Sequence, residues 1–185
     1  MKKWLCIASS VWLLQAAQAV EYKSIQIDKS SVTFGYQQMG VSMDGKFKKI
    51  NAQLNFDPAK LASAKAVIDI DLASVDTGSD EADHELVGKT WFNVASYPKA
   101  SFELQQIKST GPNQFEATGQ LNIKGKSVVV KAPLKYAAQG ATGVFTGSFV
   151  IHRADFGIGD GPWSKFDVVA NDIQVRFSLT ALAGK

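Results

Sequence analysis

From Ser31 onward, apolar and polar residues alternate over short stretches of the chain. Val32, Phe34 and Tyr36 make one run, and Ile50, Ala52, Leu54 and Phe56 make another that ends at Asp57-Pro58. A third has Ala66, Ile68, Ile70 and Leu72, with Asp69 and Asp71 on the opposite face. A two-residue period is that of a half-buried strand, apolar towards a core and polar towards water. Met43-Asp44-Gly45-Lys46 reads as the turn between the first two runs. After Pro98 the alternation resumes at Ala100, Phe102 and Leu104. It continues through Phe115, Ala117, Gly119, Leu121 and Ile123, and then through Val128, Val130, Ala132, Leu134 and Tyr136. Lys124-Gly125-Lys126 joins these last two runs as a hairpin, and Pro133 predicts a local edge or bulge in the second. Phe145 to Ile151 and Ile173 to Leu179 complete about eight strands in meander order. Without any strand–helix–strand rhythm the sheet is antiparallel, and the pattern fits a barrel or a two-sheet sandwich.

The period changes once, between Asp76 and Phe102. Ser79 or Asp80 can cap a helix with Glu81 and Asp83 in its first turn, Leu86 and Val87 on an apolar side, and Gly88 as its stop. A second short helix or turn is expected over Lys89 to Phe92. A single helical insertion in an all-β chain either plugs a barrel end or covers a binding surface.

Composition narrows the reading at the N-terminus. Lys2 and Lys3, an apolar run from Trp4 to Leu14, and Ala17-Gln18-Ala19 describe a secretory signal peptide over residues 1–19, cleaved after Ala19. The run is too short for a membrane span. The expected domain is then residues 20–185, exported to the periplasm. Cys6 is the chain's single cysteine and leaves with the leader, which excludes disulfides and cysteine chemistry from the domain. Removing Lys2 and Lys3 from the 20 basic residues leaves 18 against 17 acidic ones, near neutrality. Nucleic-acid binding, which needs a basic patch, is not indicated.

Candidate chemistry is sparse. His84 stands between Asp83 and Glu85, with only Asp80 one helical turn away, too little for a metal site. His152 can pair with Asp155 but has no nucleophile elbow near it. Gly157 to Gly161 is glycine-rich, yet Pro162-Trp163 follows instead of a helix, so it reads as a flexible loop at a barrel mouth and not as a phosphate loop. No catalytic or metal-binding set emerges. Eleven phenylalanines are more informative: an aromatic-lined barrel is either solid or a pocket for an apolar ligand.

In this order, several segments resemble the YceI-like family of secreted bacterial proteins. They are Ile27 to Phe34, Val41 to Phe47, Asp76-Thr77 followed by Asp83-His84-Glu85-Leu86, Trp91-Phe92-Asn93-Val94, Tyr97 to Phe102, Gly119 to Gly125, and Ile151 to Gly159. The family often carries histidine where this chain has Ser30 and Gln38, and arginine where it has Ala82. The resemblance implies an eight-stranded, lipocalin-like β-barrel with a short helical insertion. It also implies a non-enzymatic role in binding a polyisoprenoid or related lipid, with no covalent cofactor. The ligand expected is a long isoprenoid, such as a ubiquinone-type molecule, contacted by Phe34, Tyr36, Met39, His84, Leu86, Trp91, Phe92, Phe102, Phe149 and Arg153. Arg153 would face its headgroup or pair with Asp155. Asp76 to Phe102 would line or gate one mouth. The alternatives weighed are a lipid-modifying enzyme using His84 or His152 as base, and an interaction partner of a quinone-linked membrane cytochrome. A homodimer is compatible with the chain.

Overall fold

The alternation builds a closed antiparallel barrel in the computed structural model, which describes residues 20–184. The leader read over residues 1–19, with Cys6, lies outside the described residues. The strands are β1 (Tyr22–Ile25), β2 (Ser31–Gln38), β3 (Val41–Phe47), β4 (Ile50–Phe56), β5 (Lys65–Asp71), β6 (Val75–Asp76), β7 (Lys99–Gly111), β8 (Gln114–Ile123), β9 (Lys126–Gln139), β10 (Thr142–His152) and β11 (Asp172–Ala183). One helix, α1 (Asp80–Val87), stands between β6 and β7.

Six of these segments are halves of three bent strands. β1 and β2 lie end to end along β11, with Ile25 opposite Ala181 and Ser31 opposite Ser178. β4 and β3 pair with them in turn, Phe56 opposite Tyr22 and Phe47 opposite Val32. β5 and β6 then follow on β4 and β3. Counted this way, eight strands run in meander order and the first closes on the last, the barrel alternative of the sequence reading.

Two hairpin turns carry positive φ at both residues, Met39-Gly40 (49° and 79°) and Lys124-Gly125 (49° and 74°). That is the two-residue geometry matching strand twist. The second is the hairpin the sequence predicts; the first replaces the predicted turn at Met43 to Lys46, which is the middle of β3. Gly45 lies opposite Phe34, and any Cβ on it would strike the Phe34 ring. The glycine is there for close approach and not for a turn. Pro133 behaves as expected: the β9–β10 ladder stops at Leu134 opposite Gly147, so β9 from Pro133 back to Lys126 is locally an edge facing β10.

Buried side chains fall into two clusters. At one end Tyr22, Phe56, Phe115, Tyr136 and Phe145 interlock, with ring centroids 5.0 Å (Phe56–Phe145) to 6.0 Å (Tyr22–Phe145) apart. The Tyr22 and Tyr136 hydroxyls meet at 2.7 Å, so the two polar atoms in this floor satisfy each other. Burial together with that bond pushes the Tyr136 phenol far up. The second cluster lies towards the end from which α1 projects and includes Phe34, Leu72, Trp91, Phe92 and Phe156.

Gly147 faces the Phe177 ring across β10 and β11. A Cβ there would stand 2.5 Å from both Phe177 Cζ and the backbone oxygen of Pro133. Gly147→Ala is therefore expected to cost about 1–3 kcal/mol, read as a lower urea midpoint with an unchanged m-value.

Candidate functional site

Between the two clusters the barrel is hollow. A cavity of about 840 Å³ runs from Gln38, Met43 and Glu81 at the α1 end down to Phe56, Phe145 and Leu179 above the floor. Inward positions of neighbouring strands line it, small residues such as Ala100, Ala117 and Ala132 alternating with Phe102, Phe149 and Phe177. Along β11 the lining residues Ile173, Val175, Phe177 and Leu179 cover roughly 20 Å of strand at ~3.3 Å per residue. Met43, Glu81, His84 and Glu85 line it while exposed to water. They mark a mouth between the β2–β3 hairpin and α1.

The Asp76 to Phe102 segment walls this end. Ser79 caps α1 by accepting from Ala82 N at 3.3 Å, and Gly88 ends it. The Asp83 carboxylate accepts from Thr77 N and Thr77 Oγ1 at 2.8 and 2.7 Å, fixing the entry of the chain into the helix. Of the short helix or turn expected over Lys89 to Phe92, the chain forms the turn. In it Phe92 N donates to Leu86 O, and Asn93 N to Gly88 O. These turns bury Trp91 and Phe92 against the cavity at 7% and 9% exposure.

Nine of the ten residues singled out from the sequence line the cavity: Phe34, Tyr36, His84, Leu86, Trp91, Phe92, Phe102, Phe149 and Arg153. Met39 does not. It holds the left-handed first position of the β2–β3 turn and is 74% exposed. The Tyr36 phenol is pushed up by burial and by the Asp83 carboxylate nearby, so it stays protonated at the wall.

Arg153 lines the cavity but has neither role expected of it. It is 1% exposed, and its guanidinium donates to six backbone oxygens: Ala170 from Nε, Ile158 and Gly159 from Nη1, and Trp163, Lys165 and Val169 from Nη2. Trp91 and Phe166 lie over it at 5.6 and 5.1 Å, a cation–π sandwich. Burial lowers its pKa, partly offset by Asp160. Asp155 pairs with His152 instead, at 3.7 Å, while the other imidazole nitrogen meets Asp172 at 3.4 Å. His152 lies outside the cavity lining, and among the described residues no cluster of ligating side chains could hold a metal.

This cage organises the 153–171 loop. The glycine-rich stretch expected to be flexible is pinned, Gly159 N and Asp160 N both donating to Thr90 O. Lys124 Nζ reaches Thr90 O at 3.2 Å and Gly157 O at 2.5 Å. Trp163 Nε1 donates to Glu85 at 2.9 Å, tying the loop to α1. The Trp91 indole N–H, by contrast, is buried without a partner among the described residues. Sequence reading missed the cage because its acceptors are main-chain oxygens, which no residue type announces. The one available signal was Gly159, whose φ is 78° and whose Cβ would collide with Arg153 Nη1.

Arg153→Met keeps the volume and removes every donor, so it is expected to cost about 3 kcal/mol or more by leaving buried oxygens unpaired. Hydrogen exchange at Ile158 to Val169 should accelerate before the floor strands respond. Arg153→Lys should fall between the two.

Comparison with known proteins matches residues 24–181 to the YceI-like domain. A UPF0312 protein of Pseudomonas syringae pv. tomato is 32% identical, covering 95% of this chain and 98% of its own. One from Vibrio cholerae serotype O1 is 28% identical over 85% and 89%. Among solved structures, Burkholderia cenocepacia BcnA superposes with a TM-score of 0.83 at 40% identity, covering 85% of this chain and 99% of that one. A polyisoprenoid binding domain from Saccharophagus degradans gives 0.70 at 18% identity over 89% and 99%, a likeness of fold.

Proposed function

Because this chain belongs to the YceI-like family, we propose that it carries or sequesters, in the periplasm, one long isoprenoid lipid of the quinone or polyprenyl type, held in the barrel and not chemically changed there. The observation that carries this reading is the hollow interior. The cavity of about 840 Å³ is lined mostly by apolar side chains and opens at the α1 end, so an apolar guest entering it takes its own surface and that of the lining out of water. Burial is worth ~0.8 kcal/mol per methylene against an association cost of about 4–15 kcal/mol, so long chains are favoured over short ones. The structural neighbour described as a polyisoprenoid binding domain supports the same ligand class.

The lining also speaks to the headgroup. Its charged residues are Glu81, Glu85 and Arg153. The carboxylates repel an acid, and the donors of Arg153 are already spent on backbone oxygens. A neutral quinone or prenol therefore fits better than a fatty acid or a prenyl phosphate.

Solvent extraction and mass spectrometry of the protein purified from the periplasm should yield a long apolar molecule, and its absence would count heavily against the carrier reading. Ala117 and Ala132 face each other across β8 and β9 and both line the cavity. Ala117→Phe should put a ring into the tunnel and lower affinity for a long-chain quinone by about tenfold or more, in line with losing several buried methylenes. Quenching of Trp91 fluorescence by added quinone reads that affinity. Circular dichroism should be unchanged.

A further inference from the structure

Met39 lies outside the cavity, and its surroundings suggest another use. It crowns the β2–β3 turn at 74% exposure; Val41, next on β3, is 59% exposed; and Phe166 on the 153–171 loop is 50% exposed. Backbone bonds hold the three at one corner of the open end: Met39 N donates to Val168 O at 2.8 Å, and Gln38 bridges to Val169. Gly40 faces open space, so the corner protrudes. No residue from Ser31 to Met43 carries a charge, in a chain where a fifth of all residues do. The apolar surface is continuous with the cavity: Tyr36 and Met43 form a cross-strand pair that lines it, and Gln38 and Val41 are the next pair out on the same face.

We propose that this corner, Met39 and Val41 with Phe166, is a docking surface for an uncharged lipid bilayer, dipping apolar side chains into the headgroup boundary so that the mouth opens onto the membrane. The inference rests on the carrier reading for its purpose, since a lipid of that kind is dissolved in a bilayer and not in water. Its physics is independent: apolar side chains on a protruding, uncharged turn gain by partitioning into an interface. A second copy is the less suited occupant, because three exposed apolar side chains at a turn fall far short of the ~800 Å² per partner that a stable dimer buries. The opposite rim sets the lipid type. α1 carries Asp80, Glu81, Asp83 and Glu85, and Glu81 and Glu85 line the same mouth, so an anionic surface would be repelled there.

The test is co-sedimentation of the purified protein with phosphatidylcholine vesicles, alongside the rate at which it withdraws a fluorescent isoprenoid from them. The wild type should bind. Met39→Asn combined with Val41→Thr should weaken vesicle binding and slow withdrawal by about tenfold, while affinity for the same isoprenoid supplied in detergent stays within about twofold. Asparagine tolerates positive φ, so this variant keeps the turn. Met39→Trp should strengthen binding, and replacing a third of the lipid with phosphatidylglycerol should weaken it. Docking is overturned if the wild type ignores the vesicles, if the double variant binds them equally, or if the variant's effect is to dissociate a dimer seen by ultracentrifugation. Failure of the carrier reading looks different: no isoprenoid is taken up from detergent, whatever the vesicles show.

Discussion

A fully buried guanidinium whose donors all go to main-chain oxygens is the constraint on which the open end of this barrel depends. Taking Arg153 out of water is costly, and the cost is offset only if every N–H finds an acceptor. Six carbonyls spread from Ile158 to Ala170 must therefore converge on one point, and that convergence sets the path of the loop. The loop in turn meets the Thr90 turn through Gly159 and Asp160, and α1 through Trp163 and Glu85. Two insertions remote in sequence thus become one rim. That rim also packs against β9 and β10, whose ladder ends at Leu134 opposite Gly147.

The other end solves the opposite problem. A hollow barrel with no thiol among its described residues has to concentrate its stability where it is solid. Five interlocked rings and a satisfied hydroxyl pair do this at the floor, each good aromatic contact adding roughly 0.5–1.5 kcal/mol beyond burial. The ladders of β7 to β11 carry that rigidity upward. The closed half and the caged half are thus packed separately, on either side of the cavity.

Most of the barrel could be read from alternation alone, because a half-buried strand writes its period into the sequence. β8 shows this best, strictly alternating from Phe115 to Ile123. The failures share a cause: each depends on a partner far away in the chain. Asp44-Gly45 looks like a turn until the Phe34 ring is placed over the glycine. Arg153 looks like a headgroup ligand until its carbonyls are counted. Met39 is expected among the ligand contacts, yet a two-residue turn carries it out of the strand before it can face inward. A turn over Lys89 to Phe92 is among the expectations from the sequence, whereas the main-chain bonds that seat Trp91 and Phe92, to Leu86 O and Gly88 O, are set by the fold.

The aromatic floor has a kinetic corollary. With Tyr22, Phe56, Phe115, Tyr136 and Phe145 shutting one end, the tunnel is a cul-de-sac, and a chain longer than the bore is wide cannot turn round inside it. Whichever terminus goes in first must come out last. Under the proposed carrier role, loading and unloading would share one doorway and run in strict reverse order, so the guest's polarity would be remembered from donor to acceptor. The barrel would then work as a scabbard and not as a pipe.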